Sequence, residues 1–234
     1  MENFLPITYL KLPFLFDAKR LEEELSFVLL ENWIPHFNTT GYEGRWNSIA
    51  LYAPGGDETH ILAMHPETEN LQETRVLKKC VYLKEVLSHF KCEFLSVRLL
   101  RLEAGAFIKP HRDYNLGYED GCFRLHIPIL TSDAIEFVLH GERLKMAPGE
   151  CWYTNVNYEH SVANKSQTDR VHLVIDGVRN TWSDELFFSL ASKQRLLPET
   201  REIYDPETKQ LILEQLKLMN TPTSRSLIKK LISE

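Results

Sequence analysis

The chain has 234 residues, 43% hydrophobic, 11% aromatic and 26% charged, a composition that fits a folded protein with a full-sized core and excludes a disordered tail. Its 27 Lys and Arg against 33 Asp and Glu leave a net charge of −6, a field that repels phosphate backbones, so no nucleic acid partner is expected. The four cysteines, Cys80, Cys92, Cys122 and Cys151, form no Cys-x-x-Cys pair and read as reduced thiols. The apolar N-terminal stretch is interrupted by Pro6, Lys11 and Pro13. No run approaches the roughly 18 apolar residues of a membrane helix, so the expectation is no membrane and a cytoplasmic location.

In chain order, Asp17 caps a stretch in which Leu21, Leu25, Val28 and Leu29 recur at helical spacing, predicting an amphipathic helix that ends near Trp33-Ile34-Pro35. Residues 41–62 alternate and are punctuated by Gly and Pro, which suits short strands and a loop. A second helix is predicted over 78–90, burying Leu83, Val86, Leu87 and Phe90. From Cys92 to Val178, β-branched and aromatic runs are separated by turn signals at Glu103-Ala104-Gly105, Thr131-Ser132-Asp133, His140-Gly141 and Pro148-Gly149. The expectation is a many-stranded antiparallel unit, a barrel or jelly roll. Beyond Trp182 the pattern returns to helix: Asp205-Pro206 start one that continues through Met219, and Thr221-Pro222-Thr223-Ser224 break it. With no repeats and no low-complexity linker, the reading is one domain over 1–234: an α/β flank over 1–91, a jelly-roll core over 92–184 and a helical flank over 185–234.

Chemistry concentrates in Ile108-Lys109-Pro110-His111-Arg112-Asp113, where His-x-Asp follows a predicted strand. Residues i and i+2 of an extended chain project to one side, so imidazole and carboxylate converge on a single ion. His160 stands 49 residues beyond His111 at the start of another short strand, and Arg170 ten residues after that. Two His and one carboxylate make the facial triad of non-haem Fe(II) oxygenases; zinc hydrolases use similar ligands. The arginines separate the two. In the strand 170–176, Arg170 and His172 share one face and Val171, Leu173 and Ile175 the other; in 124–129, Arg124 and His126 oppose Leu125, Ile127 and Ile129. Two Arg-x-His strands suggest a barrel with a polar interior and an apolar outer face under the helices. A guanidinium buried there must be paired, and with no acidic residue evidently supplied, a carboxylate brought by a ligand and gripped by the arginine fork is the natural partner.

The segments IKPHRDY, FRLHIPI and APGECWYTNVNYEHSVANKSQTDRVHLVID, with RWNSIALYAPGG upstream, resemble the aspartyl/asparaginyl β-hydroxylase-like branch of the Fe(II)/2-oxoglutarate dioxygenases, including bacterial proline cis-4-hydroxylases. The resemblance implies a double-stranded β-helix (jelly roll, cupin-like) core. It implies that His111, Asp113 and His160 are the metal ligands and catalytic centre, that Arg170 binds the distal carboxylate of 2-oxoglutarate, and that Arg124 with His126 sits near its other end. Fe(II) and 2-oxoglutarate are the implied cofactors, with ascorbate as a candidate accessory reductant. Animal aspartyl hydroxylases have glycine where this chain has Asp113, so the chain looks more like the bacterial amino-acid hydroxylases; Leu100 stands where the animal enzymes use a serine.

The expected activity is hydroxylation of a small-molecule substrate, an amino acid or derivative. The alternatives are hydroxylation of Asp or Asn within a peptide or protein, a cupin-like metal isomerase or hydrolase, and a cupin-like metal-binding protein without oxygenase activity. Arg112, Asn115, Glu119, Asp120 and Arg179 are expected in loops rimming the pocket, and Trp182 is a candidate to close its mouth. His36, His60, His65, His89 and His140 have no partner at ligand spacing and are expected outside the site, whereas His172 either lines the cavity or bonds a neighbouring strand. Asn155, Asn157 and Asn180 are read either as substrate contacts or as loop residues, and Trp152 as core.

Overall fold

The computed structural model describes residues 5–62, 71–197 and 206–219, with positions 221, 224, 225 and 228. They fall into two compact units, Met1–Pro198 and Glu199–Glu234. In chain order the first contains β1 (Tyr9–Leu15), α1 (Ala18–Val28), β2 (Ile34–Pro35), β3 (Tyr42–Glu43), β4 (Trp46–Pro54), β5 (Leu71–Glu73), α2 (Arg75–Lys79) and α3 (Val81–Leu87). It continues with β6 (Phe94–Leu102), β7 (Phe107–His111), a 3-10 turn (Tyr118–Asp120), β8 (Cys122–Leu130), β9 (Ile135–Leu139), β10 (Glu142–Leu144), β11 (Glu150–Thr154), β12 (His160–Asn164), β13 (Arg170–Val178), α4 (Thr181–Leu190) and α5 (Lys193–Leu196). In the second unit, α6 (Pro206–Met219) is the helix expected there; its Asp205 cap and the Pro222-Thr223 break lie outside the described residues, as does His65.

Two antiparallel sheets form the β unit. The larger runs β1-β11-β8-β13-β6-β4-β2, with β5 beside β4, and the smaller β10-β9-β12-β7-β3. From β6 onward, successive strands exchange between the sheets except at the β9–β10 hairpin, so that β6-β13-β8-β11 faces β7-β12-β9-β10, the double-stranded β-helix order. The period of two decides which side chains go where. Val171, Leu173 and Ile175 of β13 and Leu125, Ile127 and Ile129 of β8 join one apolar cluster with Leu21 and Leu25 of α1 and Leu83 and Val86 of α3. Val174 instead belongs to a second cluster with Leu102, Ile108, Phe137, Leu139 and Val162. The hairpin between β9 and β10 turns on His140 (φ 50°) and Gly141 (φ 79°), the two left-handed residues that a tight primed turn demands.

Both helices of the N-terminal flank depart from the sequence expectation. Asp17 caps α1 as predicted, accepting from the backbone N–H of Lys19 and Arg20, but the helix stops at Val28. Ile34 precedes a proline, which disfavours helical backbone, and Ile34–Pro35 pairs instead with Ser48 and Asn47 of β4. The helix expected over 78–90 is two helices with an extended break at Cys80. Thr74 caps the first. The second is capped by a side chain from α1: the Glu24 carboxylate accepts from the N–H of Tyr82 (2.7 Å) and Leu83 (2.6 Å), an anion at a helix N-terminus that local sequence does not display. Residues 46–54 form one nine-residue strand where short strands were expected, because β4 pairs along its length with β6. No helix among the described residues is long and apolar enough to cross a membrane.

Replacing Glu24 by alanine should orphan two backbone donors and cost about 1–2 kcal/mol. The checking measurement is the urea midpoint, expected to fall while the far-ultraviolet circular dichroism of the native state stays unchanged.

Candidate metal centre and its cavity

His111 closes β7, His160 opens β12, and the two are paired across the small sheet, which brings their ring centroids to 4.2 Å. Asp113, two residues past His111, has its N–H held by the Val156 carbonyl, and its Oδ1 lies 3.8 Å from His111 Nε2. Potential ligand atoms of His111, Asp113 and His160 lie within 4.8 Å of one another. In both histidines Nδ1 donates to a backbone carbonyl two residues upstream, His111 to Lys109 (2.8 Å) and His160 to Tyr158 (3.1 Å). That bond fixes the tautomer and leaves each Nε2 as a lone-pair donor, the second-layer hydrogen bonding typical of metal-ligating imidazoles. Burial, with the neighbouring His111, pushes the His160 imidazole down to about 4. Burial alone would raise the Asp113 carboxyl, but Arg124 and the two histidines outweigh it and hold it below its ordinary value. Two neutral imidazoles and one carboxylate on one wall fit a divalent iron or zinc ion, with the cavity side open to further ligands.

The three residues line a cavity of about 570 Å³ whose wall also carries Arg170, Arg124, His126 and Leu100. Arg170 is 2% exposed; among the described residues its guanidinium makes one side-chain hydrogen bond, from Nη2 to Nδ1 of His172 (2.9 Å), and its Nε has no partner. It has no carboxylate within ion-pair distance among the described residues, and burial alone pushes its pKa down to about 9. His172, by accepting on Nδ1, carries its proton on Nε2, which is buried without a partner among the described residues. His126 is buried on the same cavity wall, its Nδ1 also unpartnered.

Arg124 differs from the sequence expectation that no acidic residue is supplied. Its Nε (2.6 Å) and Nη2 (3.1 Å) donate to Asp176, and its Nη1 donates to Asp113 Oδ2 (2.7 Å). Asp176 is fully buried and also accepts from Arg98 Nη2 (2.9 Å) and Ser96 Oγ (2.8 Å). Burial opposes its charge, but Arg124 and Arg98 hold its carboxyl far below the usual range. Sequence reasoning missed Asp176 and Arg98. A signal existed for Asp176, which lies at even spacing from Arg170 and His172 in the same strand and so shares their inward face.

His36 was expected outside the site and lines the cavity, stacked on Trp46 at 3.5 Å between centroids. Arg112 and Asn115 also line it, as expected. Arg179 does not: it pairs with Asp184 (2.6 Å) and lies over the Tyr118 ring. Glu119 is bonded to Asn155 and Asn157, and Asp120 to Asn157, so these four brace the loops. Asn180 caps α4, and Trp182 packs edge-on against Phe90 in the helix-side core, away from the cavity mouth. Trp152 is half-buried against the inner cluster, its indole N–H given to Glu150.

The chain belongs to the aspartyl/asparaginyl β-hydroxylase family, whose model matches residues 16–180. It is 30% identical over 164 residues to an L-proline cis-4-hydroxylase of Rhizobium meliloti, covering 69% of this chain and 57% of that protein. It is 26% identical over 164 residues to an L-proline cis-3-hydroxylase of a Streptomyces species, covering 68% of this chain and 56% of that one. The chain thus spans a little over half the length of these curated relatives. Among solved structures, an oxidoreductase of the 2OG-Fe(II) oxygenase family from Burkholderia pseudomallei superposes with a TM-score of 0.48 at 18% identity, over 74% of this chain and 88% of that one.

The interior histidines set a pH limit on the fold. Burial holds His36 and His160 at about 4 and His126 and His172 well below their ordinary value. A depressed histidine contributes stability that is complete above its unfolded pKa of roughly 6.5 and is lost as pH falls toward the folded value. In metal-free protein each should add a slope approaching about 1.4 kcal/mol per pH unit below that point. Urea midpoints measured from pH 7.5 to 4.5 should fall steadily; a flat profile over that window would contradict the buried neutral imidazoles.

Proposed function

We propose that this chain is an Fe(II)- and 2-oxoglutarate-dependent hydroxylase of a free amino acid or a small amino-acid derivative. The observation that carries the reading is Arg170: a buried guanidinium with no carboxylate partner among the described residues, on the wall of the cavity that also holds the two-histidine, one-carboxylate cluster. A buried cation of this kind calls for an anion brought by a ligand, and the planar fork suits a carboxylate bound through two parallel hydrogen bonds. The names of the two curated relatives support an amino acid as substrate.

His111 and His160 would hold the metal through Nε2, with Asp113 as the anionic ligand. Arg170, aligned by His172, would anchor the distal carboxylate of 2-oxoglutarate, and His126 would line the space between. The bound metal would supply the oxygen chemistry, in which 2-oxoglutarate and oxygen give succinate and carbon dioxide while one oxygen atom enters a C–H bond of the substrate. Leu100, Ile108, Phe137 and Val162 keep that part of the cavity apolar, which strengthens the Arg170 pair and limits water. Arg124 serves Asp113 and Asp176. Ascorbate enters only as a reductant that keeps iron divalent.

Incubation with Fe(II), ascorbate and 2-oxoglutarate should release succinate and give a mass gain of one oxygen on at least one free amino acid. Uncoupled 2-oxoglutarate consumption with all of them, together with oxidation of an Asp- or Asn-containing peptide, would move the substrate to polypeptides; no 2-oxoglutarate consumption with any substrate would overturn the proposal. Arg170→Lys should raise the apparent KM for 2-oxoglutarate at least about tenfold while metal affinity stays unchanged, because lysine cannot copy the fork. Asp113→Ala should lose both metal affinity and most turnover. Wild-type activity in Asp113→Ala would remove it from the ligand set.

A further inference from the structure

The buried Arg98–Asp176–Arg124 cluster adjoins the metal centre without contributing a ligand to it. Arg124 spends Nε and Nη2 on both oxygens of Asp176, and this two-point grip fixes the plane of its guanidinium. The remaining nitrogen, Nη1, is thereby delivered to Asp113 Oδ2 at 2.7 Å, while Oδ1 is the oxygen near His111 Nε2. Asp176 is itself fixed on three sides, by Ser96, Arg98 and Arg124, and Arg98 is tied by Nη1 to the Ile61 carbonyl at 2.9 Å. The register accounts for the geometry: Asp176 sits on β13 opposite Arg124 of β8 and opposite Ser96 of β6, and Val174 stands opposite Arg98. Asp113 has no strand of its own to hold it, since it lies beyond the end of β7.

We infer that Asp176 is a positioning residue for the metal centre. Acting through Arg124, it orients the Asp113 carboxylate so that one oxygen is tied to the protein and the other is presented beside the two imidazoles. A carboxylate on a loop would otherwise rotate between one- and two-oxygen binding, and its local effective concentration at the ion would drop. The inference rests on reading His111, Asp113 and His160 as metal ligands, and its test separates the two.

The experiment is anaerobic titration of the full chain with Co(II), followed by its visible absorption, in wild type, Asp176→Asn, Arg124→Lys and the double variant. Lysine keeps the charge of Arg124 but has one nitrogen in place of the rigid planar fork whose three nitrogens reach both oxygens of Asp176 and Asp113 Oδ2. Each single change should weaken Co(II) binding by about 10- to 100-fold, the range for loss of an outer-layer partner. Because Asp176 acts through Arg124, the double variant should bind no more weakly than the weaker single one. Arg101→Lys, a control whose carboxylate partner is Asp169 and which does not line the cavity, should bind Co(II) as wild type does. Folded Asp176→Asn with wild-type affinity, or a double variant whose losses multiply, would overturn the positioning role alone. A wild-type chain that takes up no Co(II) would overturn the metal reading and this inference with it. Should Asp176→Asn fail to fold for want of a counter-charge to two buried arginines, the charge-balanced pair Asp176→Asn/Arg98→Met replaces it in the same titration: weakened binding supports the relay and unchanged binding rejects it.

Discussion

Taking guanidinium groups out of water is the constraint on which the interior depends. Arg98, Arg124 and Arg170 are each at most 7% exposed, and the carboxylates that face this interior among the described residues are Asp113 and Asp176. An isolated buried cation costs several kcal/mol, so charge must be matched locally. Two arginines share Asp176, Arg124 reaches on to Asp113, and Arg170 is left without an ion-pair partner among the described residues. The imbalance of one positive charge is what the carboxylate of the proposed co-substrate would complete. Neutral histidines complete the design: His126 and His172, deep among these cations, stay uncharged and so add no further repulsion.

That interior exists because β8 and β13 alternate. Leu125, Ile127, Ile129, Val171, Leu173 and Ile175 supply hydrocarbon to the helix side, while Arg124, His126, Arg170, His172 and Asp176 put buried nitrogen and oxygen on the other face, with Val174 among them. This alternation was legible in the sequence because it depends on residues two apart on one strand, and the His-x-Asp pair because its two residues are two apart where β7 ends. His160 and Arg170 were legible by their spacing, and His111, Asp113, His160 and Arg170 all line one cavity, the histidines from the small sheet and Arg170 from the large one. The Asp176 relay was harder to see because pairing partners on three strands depend on register, which spacing along one strand does not encode. Asp176 pairs with an arginine 52 residues away rather than with the arginine of its own strand.

The same distinction explains the flank. The helix break at Cys80 depends on Glu24, 58 residues upstream of Tyr82, whose carboxylate caps a new helix start from across the interface. Hydrophobic spacing alone ran through the break, since both helices bury residues at compatible intervals. His36 follows suit: it reaches the cavity because β2 docks beside β4 and lets the imidazole stack on Trp46, a contact between segments ten residues apart with a turn between them. Local pattern thus reported the elements, and the tertiary contacts decided their ends and their neighbours.

The two central strands have almost no solvent face, since eight of the nine residues of each are buried. Positions that drift without consequence are therefore scarce there: an outward change disturbs the helix-side packing, and an inward one disturbs charge pairing. Change at low structural cost is open instead in the segment between β7 and β8, where Arg112, Tyr114 and Asn115 line the cavity yet remain exposed. Selection can vary the rim of such a barrel at low structural cost while its staves remain fixed, so divergence among proteins built this way should accumulate as a ring of variable loops around an invariant charged shaft.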